Sequence, residues 1–164
     1  MESCNKKIFT LYLSTQTASG PYAPVNAINK SIVTWNINFN ALYGGVPFAG
    51  EERLARVKFQ LYSLSQNAIF TWAANSGVLA IQGLGNQYSN SQNGLTLGTC
   101  SPIDTPVATA TAAIMYGDTL QTGGVLSNLP DGYAPITVLL LDRTGALQPN
   151  MLDYQLILQF ECQE

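Results

Sequence analysis

The chain has 164 residues, of which only 10% are charged, with a formal net charge of -3, a pI near 4.7 and no histidine. Without histidine no Ser-His-Asp or Cys-His catalytic set and no His-containing metal site can be built within it, and seven scattered basic residues do not supply the clustered Lys and Arg that nucleic-acid binding needs. Soluble domains usually carry about 25% Asp, Glu, Lys and Arg, so the polar surface here rests on Asn, Gln, Ser and Thr, and low charge is what the cores of protein interfaces select.

The length suits one domain, residues 1–164, with a core that needs neither disulfide nor metal. Residues 1–7 hold Lys6 and Lys7 but contain no apolar core and have no small-residue cleavage site behind them, so neither a secretory leader nor a membrane anchor is expected there. Residues 8–13 are apolar on both faces of an extended chain, the pattern of a strand covered on both sides, and rank among the expected deepest positions. Residues 18–28, with Gly20, Pro21 and Pro24, predict a wide loop. From Ile32 to Phe39 the chain alternates, with Val33, Trp35, Ile37 and Phe39 on one face and Thr34, Asn36 and Asn38 on the other. This is a half-buried strand.

A helical pairing of Glu52 with Arg56 competes with the alternation Val57, Phe59, Leu61 over residues 56–64, and the strand is the expected winner. Weaker strands are expected over 68–72, 78–82, 95–97 and 107–115, bounded by Asn75-Ser76-Gly77, Gly83-Leu84-Gly85 and Asn93-Gly94. Residues 87–108, rich in Ser, Asn, Gly and Thr, read as a second wide loop. Residues 136–141 are again apolar on both faces. Finally Leu152, Tyr154, Leu156, Leu158 and Phe160 alternate with polar or smaller partners, a second clear half-buried strand. About eight strands joined by turns predict an all-β, antiparallel sandwich.

No stretch approaches the roughly 18–20 apolar residues of a membrane-spanning helix. Cys4, Cys100 and Cys162 are too few and too dispersed for a disulfide framework or a zinc knuckle, which favours a reducing, intracellular origin. Asp118, Asp131, Asp142 and Asp153 are the aspartates outside the Ser/Gly-rich region that are available for glycoside hydrolysis, but no spacing pairs them, and turn or strand-surface roles account for Asp131, Asp142 and Asp153. Gly83-Leu84-Gly85 lacks the third glycine of a dinucleotide fingerprint, no Ser-x-x-Lys occurs, and no acidic repeat provides a calcium cage. No catalytic, cofactor-binding or metal-binding residue is therefore assigned. Trp35 belongs to the core face of its strand, whereas Trp72, Tyr43, Tyr88, Tyr116 and Tyr133 are candidate aromatic contacts for a protein or a sugar.

Three stretches carry a resemblance. They are Ile8-Phe9-Thr10-Leu11-Tyr12-Leu13-Ser14 leading through Ser19-Gly20 to Trp35-Asn36-Ile37-Asn38-Phe39; Arg56-Val57-Lys58-Phe59-Gln60-Leu61-Tyr62-Ser63-Leu64; and Asn128-Leu129-Pro130-Asp131-Gly132-Tyr133 with residues 136–141, Asp142-Arg143-Thr144-Gly145 and 152–160. In this layout the chain resembles the small single jelly-roll minor capsid proteins of large icosahedral double-stranded DNA viruses. The resemblance implies a jelly roll, no enzymatic activity, and a cementing role within the virion, assembled inside the host cell. Its implied partners are the major capsid protein, other minor capsid proteins and further copies of itself. Residues 87–108 have no counterpart in that pattern. A carbohydrate-binding sandwich or fibre head is the alternative, because the same fold presents loop tyrosines to sugars.

Overall fold

Wherever residues alternate apolar and polar, the backbone can pair on its edges while burying one face, and that rule accounts for most of the structure. The structure is a computed structural model and describes residues 8–42, 54–63, 77–84, 94–102, 115–119, 123–130, 132–142, 144–148, 151 and 153–162. Among them lie ten strands: β1 (Ile8–Ser14), β2 (Asn26–Asn29), β3 (Ile32–Asn38), β4 (Leu54–Ser63), β5 (Gly77–Gln82), β6 (Leu95–Pro102), β7 (Met115–Asp118), β8 (Val125–Asn128), β9 (Tyr133–Asp142) and β10 (Tyr154–Cys162). One helical turn, α1 (Phe39–Leu42), follows β3. Asn38 caps it by accepting the Ala41 amide at 3.2 Å.

All strand pairings are antiparallel, in the order β1-β10-β4-β7-β6-β5-β9-β3-β2, with β8 also on β4. β7 and β8 share one edge of β4, β7 against Gln60–Tyr62 and β8 against Leu54–Val57, and so fill a single strand position. Between them Thr119 keeps the ladder closed: its amide donates to the Phe59 carbonyl at 2.8 Å and its hydroxyl accepts the Phe59 amide at 2.9 Å. Eight positions result, with β2 as an added edge. First pairs with last (β1·β10), second with seventh (β3·β9), third with sixth (β4·β7/β8) and fourth with fifth (β5·β6). A long hairpin rolled up in this way is the jelly roll, so the all-β sandwich expectation holds.

The sheet curls over at β6–β7, where Cys100 faces Gly117. Gly117 also pairs with Leu61 of β4, and an added Cβ there would lie 2.5 Å from Cys100 Sγ and 2.9 Å from Phe59 Cε2. The bend needs a residue without a side chain.

Alternation becomes burial with little loss. In β4 the residues Ala55, Val57, Phe59 and Leu61 are fully buried, and in β10 so are Tyr154, Leu156, Leu158 and Phe160. Trp35 packs edge-on against Tyr154, with centroids 6.4 Å apart, and Phe39 against Phe160 at 6.1 Å. Each large apolar side chain removed from water contributes roughly 1.5–3 kcal/mol. A second, smaller cluster lies on the opposite face of the other sheet, where Ala80, Leu139 and Leu141 are buried with Ile32 and Val78 against them. The two-sided apolar pattern of 136–141 is thereby explained.

Five expectations need correction. Residues 8–13 are not covered on both faces: Leu11 and Leu13 are buried, but Ile8 is 53% and Tyr12 69% exposed, because among the described residues β1 is an edge strand with β10 alone beside it. The loop assigned to 18–28 ends in β2, which pairs with β3 at Asn26↔Thr34 and Asn29↔Ile32 across a register shift. Phe39 leaves the strand and opens α1, yet stays buried. β8 was not anticipated at all, since Val125-Leu126-Ser127-Asn128 shows no distinctive alternation. The described part of the loop assigned to 87–108 is instead mostly strand, β6, which runs on to Pro102; the rest of that loop, the strand expected at 68–72, most of the one at 107–115 and the helical alternative's Glu52 lie outside the described residues.

Candidate functional site

The outer faces of the two sheets differ. On the β3-β9-β5-β6 sheet the outward residues include the buried cluster around Leu139. On the β1-β10-β4-β7/β8 sheet, pairing registers set outward side chains in rows: Ile8, Glu161, Arg56, Leu126; then Thr10, Gln159, Lys58; then Tyr12, Ile157, Gln60, Asp118; then Ser14, Gln155, Tyr62, Tyr116. Tyr12 and Tyr62 are exposed.

Each charge on this face is engaged. Lys58 Nζ lies 3.3 Å from Glu161 Oε2, Arg56 donates to the Gly123 carbonyl at 2.9 Å, and the Tyr116 hydroxyl donates to Asp118 at 2.6 Å. Gln60 donates to the same tyrosine oxygen at 3.3 Å. The surface left over is aromatic and amide-rich, which matches the residue preferences of a protein interface, where Tyr is enriched and Lys and Glu depleted.

Among the described residues no strand pairs with the outer border of β1. At the pair that continues the β1·β10 register, the Thr15 amide donates to the Tyr154 carbonyl at 3.1 Å. Antiparallel pairing alternates, so Phe9, Leu11 and Leu13 direct their backbone groups to β10, and Ile8, Thr10, Tyr12 and Ser14 direct theirs outward. Consistently, the Ser14 carbonyl accepts from Thr17 instead, at 3.3 Å. Beyond Ser14 the chain is tied down by Asp153, which accepts from the Thr15 hydroxyl at 2.7 Å and lies 2.9 Å from Lys30 Nζ.

The described aspartates all sit in structural bonds. Asp118 and Asp153 are engaged as above, and Asp142 accepts the Thr144 hydroxyl at 2.6 Å and the amides of Thr144 and Ala146. Those bonds, the Thr144 hydroxyl foremost, hold the Asp142 carboxyl below its ordinary range. Asp131 lies outside the described residues. Burial pushes the Cys100 thiol up to about 12 and raises the Tyr154 phenol well above its usual value, with the nearby Cys100 and Asp153 adding to the latter. Both are core groups.

Of the aromatic candidates, Trp35 is buried in the core, Tyr116 stands on the outer face, and Tyr133 is 78% exposed on the other sheet. Tyr43, Trp72 and Tyr88 lie outside the described residues. Sequence reasoning missed Tyr12 and Tyr62 as surface contacts; the alternation in 56–64 already put Tyr62 on the polar side, but nothing local marks β1 as an edge. Among the described residues no group of three metal-ligating side chains forms, and no helix is long and apolar enough to cross a membrane. No family model matches the chain, and no curated protein or solved structure is significantly similar to it.

Proposed function

We propose that this chain is a structural, non-enzymatic jelly-roll subunit of a viral shell, a minor capsid protein that cements capsomers by packing against the major capsid protein and other minor components. The observation that carries the reading is the outer face of the β1 sheet: aromatic and amide side chains over a broad sheet, with Lys58, Glu161, Arg56 and Asp118 all bound within the chain. A surface of this kind gains most by being covered, because few strongly hydrated charges have to be stripped of water. The resemblance in layout to single jelly-roll minor capsid proteins supplies the shell context, the virion as location, and assembly within the host cell.

The test is to locate the chain in purified particles by mass spectrometry and cross-linking. Cross-links from the face of β1, β4 and β10 to a capsid neighbour, at a fixed copy number per particle, support the proposal. Absence from particles, together with a highly soluble monomer that ignores isolated capsomers, overturns it.

Carbohydrate binding is the second reading, favoured by the Tyr116-Asp118-Gln60 hydrogen-bonded set beside Tyr62. Aromatic faces flanked by amide and carboxylate groups suit sugar rings. Saturable binding on a glycan array that Tyr116→Ala abolishes would replace the capsid proposal with this one.

A further inference from the structure

The border of β1 away from β10, which no strand among the described residues covers, has the donor and acceptor pattern of half a β-ladder. Ile8, Thr10 and Tyr12 each direct an amide and a carbonyl outward, and their side chains, all on the outer face, include no charge. Protected edges are normally short, bulged or lysine-bearing. The opposite border, β2, follows that rule with four residues and a register shift. β1 has seven residues, no bulge, no proline and no lysine.

We infer that β1 is a self-pairing edge: two copies of this chain join β1 to β1 in antiparallel fashion about a two-fold axis at Thr10, making one continuous sheet across the dimer. The register follows from the backbone. Because residues 8, 10 and 12 carry the outward groups, Ile8 meets the partner's Tyr12, Thr10 meets the partner's Thr10, and Tyr12 meets the partner's Ile8, each pair exchanging two hydrogen bonds. A two-fold axis at Leu11 would need Ser14 to pair with the partner's Ile8, but the Ser14 carbonyl accepts from Thr17 and its hydroxyl accepts the Gln16 amide at 3.2 Å. The turn therefore closes that register. The side-chain matches are favourable cross-strand pairs, β-branched against aromatic and threonine against threonine. A second copy satisfies this edge symmetrically, as an isologous contact requires. The pairing does not depend on a viral shell and holds for the chain by itself.

The experiment is done on the full chain. Analytical ultracentrifugation at concentrations on the order of 100 µM, where a micromolar complex is almost wholly formed, should give a dimer. Thr10→Pro removes an outward amide without touching the β10 ladder, and should yield a folded monomer. Thr10→Lys sets like charges against each other at the axis and should do the same, which covers the case of a misfolded proline variant. Register is read by disulfide trapping. In Thr10→Cys the two Cα atoms would lie about 5.5 Å apart, within disulfide range. An intermolecular disulfide at position 10 of that variant should form at least tenfold faster than one at position 12 in Tyr12→Cys, as identified by peptide mass spectrometry. A parent chain that remains monomeric, a dimer that survives Thr10→Lys, or equal trapping at positions 10 and 12 overturns the inference.

Discussion

Replacing Tyr154 with Phe should stabilise the protein, although the substitution deletes a polar group that usually forms a hydrogen bond. The Tyr154 side chain is fully buried and its hydroxyl has no hydrogen-bond partner among the described residues. A buried, unsatisfied hydroxyl costs about 1–3 kcal/mol in lost hydration. Removing one oxygen forfeits only a few contacts, each worth roughly 0.1–0.2 kcal/mol, and the edge-on packing against Trp35 survives because the ring is unchanged. The net expectation is a gain of about 1 kcal/mol, or a Tm increase of roughly 2–4 °C for a domain of this size. Urea denaturation at pH 8 should show a higher midpoint with an unchanged slope.

The same variant has a signature in alkali. The native phenol holds its proton well above the ordinary tyrosine range, so above pH 10 the unfolded parent chain releases a proton that the folded one keeps. Stability from this group is complete below the unfolded value and declines as pH rises past it. The advantage of Tyr154→Phe should therefore widen by about 1.4 kcal/mol between pH 8 and pH 11. A variant that loses 1 kcal/mol or more at pH 8 with the slope unchanged would show that the hydroxyl is bonded, refuting the argument.

Cys100 should make its own alkaline contribution: its native pKa is raised from 9.0 to about 12, so its stabilisation is intact below pH 9 and falls by roughly 1.4 kcal/mol per pH unit up to 12, and the gap between the parent and Cys100→Ala in denaturant melts should narrow over that window. Gly117→Ala forces a methyl group into Cys100 Sγ and Phe59, at a cost of about 1–3 kcal/mol, and adding Cys100→Ala should recover part of the loss in a double-mutant cycle. Thr119→Val leaves the buried Phe59 amide without its acceptor between β7 and β8 and should cost about 1–3 kcal/mol, with faster amide exchange at Phe59 by NMR.

The sequence by itself determined which face of its clearly alternating strands goes inward. Val33, Trp35 and Ile37, or Leu156, Leu158 and Phe160, are buried as their alternation demands, because a period of two maps directly onto the pleat. It also ruled out histidine chemistry. What it left open is position in the sheet, and residues 8–13 and 136–141 make the difference plain. Both are apolar on both faces, yet β9 lies between β3 and β5 with Leu139 and Leu141 covered by Ile32, Val78 and Ala80, whereas β1 lies at the border with Ile8 and Tyr12 in water. The fold-defining pairs, such as Ile8 with Glu161 and Gln60 with Asp118, join residues far apart in the chain. The candidate face is assembled across four such strands. Local pattern sets how strongly a strand wants partners, but only long-range pairing decides whether its own chain supplies them.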